Sequence, residues 1–300
     1  MQPEVAMKTE TYEVQIGKLL EQLTLEEKIG MIHGAGLFRT EGVERLSIPP
    51  LFFSDGPMGV RAEFADNEWR NTGTTDDFVS YLPCNSAVAS TWNRELAGEE
   101  GRVLGEEARG RGKDMILAPG INIKRSPFCG RNFEYYSEDP FLSGKMAAAV
   151  VRGVQEKGTC GAVIKHFACN NQEDNRMGVD VHISERALRE IYLRGFEIAV
   201  KESAPVAIMT SYNRVNGVHA ANSRALCTVI AREEWGFDGV FMSDWSTTAP
   251  EDGSIPWKCI EAGNDLIMPG SEKDDADIRQ AYGSVFTDAS PAMENLPLAS

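Results

Sequence analysis

Four short stretches of this sequence place polar side chains directly after an apolar run. They are Phe53-Ser54-Asp55-Gly56-Pro57, Ile164-Lys165-His166-Phe167, Met209-Thr210-Ser211-Tyr212-Asn213 and Met242-Ser243-Asp244-Trp245. Two carboxylates, a lysine beside a histidine, a tyrosine and a tryptophan suit a neutral, polyhydroxylated ligand. Carboxylates accept from pairs of hydroxyls, cations donate to them, and an indole covers an apolar C–H face. Any one of these residues alone could be a helix cap, and Asp244 followed by Ser246 and Thr247 allows that reading. Other chemistries fit less well. Gly34-Ala35-Gly36 lacks the third glycine of a dinucleotide loop and the GK[ST] of a phosphate loop, so it reads as a turn. His33, His166, His182 and His219 stand apart from one another, without an HExxH pair or cysteines at ligand spacing. No metal and no cofactor are expected.

Side chains so far apart in the chain meet only if the backbone brings their segments to one place. Strands are predicted over residues 50–54, 82–87, 115–118, 162–166, 206–211, 240–244 and 265–268. Several are nearly continuous in Val, Ile, Phe and Met, as strands covered on both faces are. Between them run helical patterns. Thr24-Leu25-Glu26-Glu27 is a capping box inside an apolar-periodic stretch over 12–32. Residues 184–202 place Leu188, Ile191, Tyr192 and Ala199 on one stripe, and Ser223 can cap a segment carrying Leu226, Val229 and Ile230. Repeated strand–helix alternation predicts an α/β fold with a parallel sheet, either a closed barrel or a doubly wound sheet. The strand signals fall one short of the eight that a closed barrel needs. In both architectures the ligand lies at the carboxyl ends of the strands, where the four polar clusters fall.

Bulk properties agree with one such unit. The 300 residues are 42% hydrophobic and 25% charged, ample for a single buried core. A net charge of −15 argues against nucleic acid and anionic membranes as partners. The sequence holds no 18-residue apolar stretch, and MQPEVAMKTETYEVQ at its start has no signal-peptide apolar region. Cys84, Cys129, Cys160, Cys169, Cys227 and Cys259 form no CxxC pair. Reduced thiols and a cytoplasmic location are expected.

Six blocks carry a more specific signal: residues 23–29 (LTLEEKI), 55–61 (DGPMGVR), 125–140 (RSPFCGRNFEYYSEDP), 165–176 (KHFACNNQEDNR), 209–217 (MTSYNRVNG) and 236–245 (GFDGVFMSDW). With these blocks in this order, the chain resembles the N-terminal catalytic barrel domain of glycoside hydrolase family 3, in its β-glucosidase and β-xylosidase branch. Ala168-Cys169-Asn170-Asn171-Gln172-Glu173 stands where the family's N-acetylglucosaminidase branch carries a Gly-His-Gly and Asp-x-His loop. The resemblance implies a TIM-like (β/α)8 barrel over residues 1–270, irregular or incomplete at its C-terminal end. Residues 271–300 would be a partial final helix and tail. It implies retaining hydrolysis of terminal non-reducing β-D-glycosidic bonds, foremost β-glucosidic ones, in a small oligosaccharide or an aryl or alkyl β-glycoside. β-Xylosidase specificity is the alternative.

The same resemblance assigns roles. Asp244 is the implied nucleophile. Asp55, Arg131, Lys165 and His166 are implied to hold hydroxyls of one sugar ring, Tyr212 to lie near Asp244, and Trp245 to wall the neighbouring subsite. Met209 either lines the pocket or fills core. Glu134 and Asp139 read as partners of nearby arginines, and Arg61 as a structural ion-pair partner. Arg131 and Lys165 are expected to lower the pKa of Asp244. A retaining mechanism needs a second carboxyl as acid/base. In this branch a downstream α/β sandwich domain usually contributes it, and the sequence is expected to lack that domain. Three outcomes stay open: a separate chain carries the domain, Glu173 substitutes locally, or the chain binds sugars without efficient turnover. Two rival functions are a Schiff-base aldolase or lyase using Lys165 and a non-catalytic sugar-binding module.

Overall fold

The computed structural model describes residues 3–73, 79–158 and 160–287. Five parallel strands form one sheet in sequence order: β1 (Phe53–Asp55), β2 (Met115–Leu117), β3 (Gly161–Phe167), β4 (Ala207–Thr210) and β5 (Val240–Met242). Side-chain alternation sorts each strand into two cores. Met115, Leu117, Val163, Ala207, Met209 and Met242 point into the barrel interior, with Phe53 and Trp245. Ile116, Ala162, Ile164, Ile208 and Phe241 face the surrounding helices. Burial on both faces explains the unbroken apolar runs.

The regular sheet is open. Beyond β5 the wall continues through isolated bridges, Leu266 beside Met242 and Ile267 beside His33. An antiparallel pair, Gly34–Gly36 with Arg39–Thr40, then leads back to β1 through the bridge from Arg39 to Phe52. The result is a TIM-like α/β barrel whose N-terminal and last staves are irregular. The strand predicted over 265–268 is thus reduced to bridges. One donor of the adjacent β5, the Phe241 N–H, is taken by the Asp265 carboxylate at 2.8 Å. The strand predicted over 82–87 is absent. Pro83 removes a ladder donor, and a helix, Asn85–Ser90, begins directly after Cys84.

The helices follow their caps. The periodic stretch over 12–32 divides into α1 (Pro3–Gln22) and α2 (Leu25–Met31), because the reciprocal Thr24–Glu27 box starts a new helix. The helix Asn85–Ser90 is α3, and Asn93 and Asp139 cap α4 (Arg94–Gly110) and α5 (Pro140–Val154). The stripe predicted over 184–202 is broken by a π-helical turn at Leu188–Tyr192 before α6 (Arg194–Ser203). That extra residue per turn rotates the face, leaving Ile191 exposed while Leu193 and Phe196 are buried. Ser223 accepts from the Leu226 N–H, as predicted, at the head of a π-helical segment, Ala225–Glu234. Two further helices are α7 (Pro256–Ala262) and α8 (Glu272–Thr287). The sequence after Gly270 shows little periodicity, yet α8 runs 16 residues. Ser271 accepts from the Asp274 N–H at its start, Glu272, Asp274 and Asp275 oppose the helix dipole, and Ile278 packs on Ile29 and Ile267. The tail over 288–300 lies outside the described residues. No helix among those described is long and apolar enough to cross a membrane.

Candidate active site

Strand alternation delivers most of the candidate residues to one place. Asp55 follows Phe53 into the interior, Met209 follows Ala207, and Asp244 follows Met242 just past the end of β5. A regular β3 would send Lys165 and His166 to opposite faces. The register shift between Ile164 and Phe167 breaks the alternation, and both line one cavity. That cavity, about 210 Å³, is bounded by Asp55, Arg131, Lys165, His166, Met209, Tyr212, Asp244 and Trp245. Every residue singled out for the site is therefore in it. Phe38, Arg61, Trp69, Leu117 and Arg176 complete the lining. Sequence reasoning missed Phe38, Trp69 and Leu117, whose types carry no chemical signal. Arg176 closes the KHFACNNQEDNR block and was the one detectable omission.

The charges are strung in alternation. Arg61 lies 3.6 Å from Asp55, whose other oxygen is 2.7 Å from the Lys165 ammonium; Lys165 lies 3.9 Å from Glu134. Glu134 pairs in turn with Arg131, which is 4.0 Å from Glu173, itself 3.0 Å from Arg176. Four cations and three carboxylates leave one positive charge, and Asp244 faces this chain from β5. Burial alone would raise the Asp55 carboxyl, but Lys165, Arg61 and the Gly56 N–H hold it below the ordinary carboxylate range. Asp55 is thus an ionised acceptor, and its Lys165 partner a donor beside it.

Asp244 behaves differently from expectation. Arg131, the Trp245 N–H, Lys165 and Tyr212 do favour its ion, but burial outweighs them and the net shift is upward. Its Oδ1 accepts from the Trp245 N–H at 2.7 Å. Its Oδ2 is buried, accepts no protein hydrogen bond and stands 3.8 Å from His166 Nε2. His166 is held neutral, chiefly by burial and then by Arg131, Lys165 and Arg176. The Tyr212 hydroxyl donates to the Trp245 carbonyl at 2.8 Å. Burial and the nearby Asp244 push its pKa up, so it remains a neutral phenol. The Trp245 indole N–H donates to Leu37 O at 2.7 Å, which fixes the ring edge, and Phe38 packs 5.1 Å from it.

The plainer readings divide. Glu134 is an arginine partner, as expected. Asp139 is not: its carboxylate accepts from the Phe141 and Leu142 N–H groups and caps α5. Arg61 is an ion-pair partner, but of the site residue Asp55, and its guanidinium also sits 4.5 Å from the Phe64 ring centre. Met209 does both things asked of it, being 2% exposed in the interior core and part of the cavity wall. Glu173 has both oxygens engaged, by Asn170 and by Arg176, which disfavours it as a local acid. Two carboxylates flank the Lys165 Nζ, at 2.7 Å and 3.9 Å, an ion-pair setting that disfavours a Schiff-base role. Among the described residues, no group of His, Cys, Asp or Glu could hold a metal ion.

Comparison with known proteins decides the family. The glycosyl hydrolase family 3 N-terminal domain matches residues 54–293. The chain belongs to glycoside hydrolase family 3. It is 44% identical over 258 residues to thermostable β-glucosidase B of Acetivibrio thermocellus, covering 86% of this chain and 33% of that protein. An exo-α-(1→6)-L-arabinopyranosidase of Bifidobacterium longum is also 44% identical, over 274 residues, covering 90% of this chain and 35% of the relative. Among solved structures, β-glucosidase 3B of Thermotoga neapolitana in complex with glucose superposes with a TM-score of 0.82 at 44% identity, covering 91% of this chain and 40% of that one. This family 3 chain spans about a third of the length of the curated relatives it matches.

Proposed function

We propose that this family 3 barrel carries the nucleophile and sugar pocket of a retaining β-glucosidase, with Asp244 as nucleophile. One observation supports this above the rest: Asp244 Oδ2 is a buried carboxylate oxygen with no protein hydrogen bond, at the wall of a cavity it shares with the Asp55–Lys165 pair, Arg131 and His166. In the proposed reaction Oδ2 attacks the anomeric carbon, the aglycone oxygen departs with the bonding pair, and a glycosyl ester forms. Water then attacks the same carbon, gives up one proton to solvent in exchange for the one the departed aglycone oxygen takes up, and releases Asp244 as carboxylate, so two inversions give retention. Asp55 and Lys165 take neighbouring hydroxyls as acceptor and donor, and Arg131 and His166 add donors. Neutral Tyr212 braces the Trp245 backbone beside the nucleophile. Trp245 and Phe38 offer an aromatic wall to the leaving group.

The test is mass spectrometry after incubation with a 2-deoxy-2-fluoro-β-D-glucoside bearing a dinitrophenyl leaving group. A covalent adduct on the peptide containing Asp244 is expected. Labelling on another peptide sinks the assignment, and so does retention of labelling in Asp244→Asn. The arabinopyranosidase relative supports a second reading of the sugar. Comparing kcat/KM on aryl β-D-glucoside, aryl β-D-xyloside and aryl α-L-arabinopyranoside separates the specificities.

A further inference from the structure

We propose that Tyr135 is a positioning residue that fixes His166 as the tautomer protonated on Nε2, so that the imidazole presents a hydrogen-bond donor to the cavity. A buried hydrogen-bond chain runs from Arg176 through Glu173, Asn170 and Tyr135 to His166. Arg176 binds Glu173 Oε2 at 3.0 Å, and Glu173 Oε1 faces the side-chain amide of Asn170 at 2.9 Å. A carboxylate only accepts, so the Asn170 atom facing it must be the NH2 group. That nitrogen is also 3.1 Å from the Tyr135 hydroxyl, which therefore accepts there. The hydroxyl's own proton is left for its other neighbour, His166 Nδ1, at 3.0 Å.

An Nδ1 that accepts leaves the proton of a neutral imidazole on Nε2. The far side of the ring agrees, because the nearest charged oxygen to Nε2 is Asp244 Oδ2, an acceptor at 3.8 Å. Tyr135, His166 and Asn170 are 0%, 1% and 2% exposed, which keeps bulk water from competing for these bonds. Burial also holds the Tyr135 phenol protonated, and burial with Arg131, Lys165 and Arg176 disfavours an imidazolium. The role of the Nε2–H in sugar binding rests on the function proposed above; the tautomer does not. With that function, the position of the ligand facing His166 must be an acceptor such as a hydroxyl, and a sugar carrying an ammonium group there is rejected.

The experiment is 15N NMR of the chain labelled at its 4 histidines, with His166→Asn identifying the His166 signals by their loss. A pyridine-type Nδ1 and a pyrrole-type Nε2 are expected for His166 without any ligand. The reverse pattern, or an imidazolium at neutral pH, overturns the proposal. In Tyr135→Phe the two nitrogens should move toward averaged values, and kcat/KM on an aryl glycoside should fall about tenfold, the cost of one lost hydrogen bond. An unchanged tautomer in a folded Tyr135→Phe overturns the assigned role. If that variant does not fold, the wild-type spectrum still decides the tautomer, and Asn170→Ala, which removes the donor to the hydroxyl, tests the relay. There an unmixed Nε2–H signal counts against the relay and a mixed one for it. Fluoroglycoside labelling away from Asp244 would remove Asp244 as the nucleophile, absence of any labelling or turnover would remove the glycosidase reading, and either would leave the tautomer result standing.

Discussion

Asp244 is pulled in two directions, by burial toward the acid and by Arg131, the Trp245 amide and Lys165 toward the ion. The nucleophile proposed here must be ionised, so labelling by the dinitrophenyl fluoroglycoside should fall as pH drops through a pKa above the usual carboxylate value. Arg131→Met removes the largest stabiliser of the ion and should move this acid limb up by about one pH unit. An unmoved or lowered limb contradicts the electrostatic account. Glu100 on α4 poses the opposite kind of problem, far from any chemistry. Its two carboxyl oxygens and the Tyr136 hydroxyl are buried without a protein hydrogen bond, and burial raises its pKa from 4.5 to about 7. The folded state therefore holds a proton that the unfolded chain releases near 4.5. This contribution to stability is complete below that value and is lost as pH rises toward 7, by about 3 kcal/mol in all. Glu100→Gln should flatten that part of the stability curve and raise the melting temperature at pH ~8. A variant with the wild-type pH dependence between pH ~4.5 and ~7 would refute the assignment.

At the scale of elements, two irregularities shape the molecule. The register shift in β3 turns Lys165 and His166 to the same cavity, which no alternating pattern predicts. The pairing of α4 with α5 depends on glycines that let the two backbones touch. A Cβ on Gly101 would lie 2.2 Å from Val150 O, and one on Gly153 2.1 Å from Gly98 O. In an isolated helix Gly→Ala is worth about 1 kcal/mol of stability. Here the overlap is with backbone that cannot yield without parting the helices. Gly101→Ala is therefore expected to destabilise by about 1–3 kcal/mol, read as a lower urea midpoint. A gain in stability would show that the helices can separate freely. Asp139 caps the head of α5 five residues after Glu134, the partner of Arg131, so a loosened α5 should also disturb Arg131.

At the scale of the whole molecule, the cavity lining among the described residues contains two carboxyl groups, Asp55 and Asp244. Asp55 is held ionised by Lys165 and Arg61 and cannot serve as an acid. No proton donor of the right kind is among the described lining residues, so turnover by the chain as given should depend steeply on the leaving group. Dinitrophenyl glucosides, which need little protonation, should be cleaved at least about 10²-fold faster than alkyl glucosides, relative to a full-length relative. Equal efficiency on both would mean that an acid reaches the site. Much of this was legible in the sequence. Apolar runs covered on both faces marked β1 to β5, and motif blocks marked Asp55, Arg131, Lys165, His166, Tyr212 and Asp244. These signals are local: strand patterning and residue type do not depend on what lies across the barrel. The wall at 265–268, the helix after Ser271 and the aromatic contacts of Phe38 and Trp69 were not legible, because each is set by neighbours far away in the chain. The sequence by itself determined which groups enter the barrel and that their chemistry suits hydroxyls. Only the tertiary structure decided their protonation and partners. Burial raises Asp244 despite its cations, a bulge unites Lys165 with His166, and a hydroxyl from Tyr135 orients the imidazole. Desolvation and hydrogen-bond geometry belong to the assembled barrel and to no stretch of residues within it.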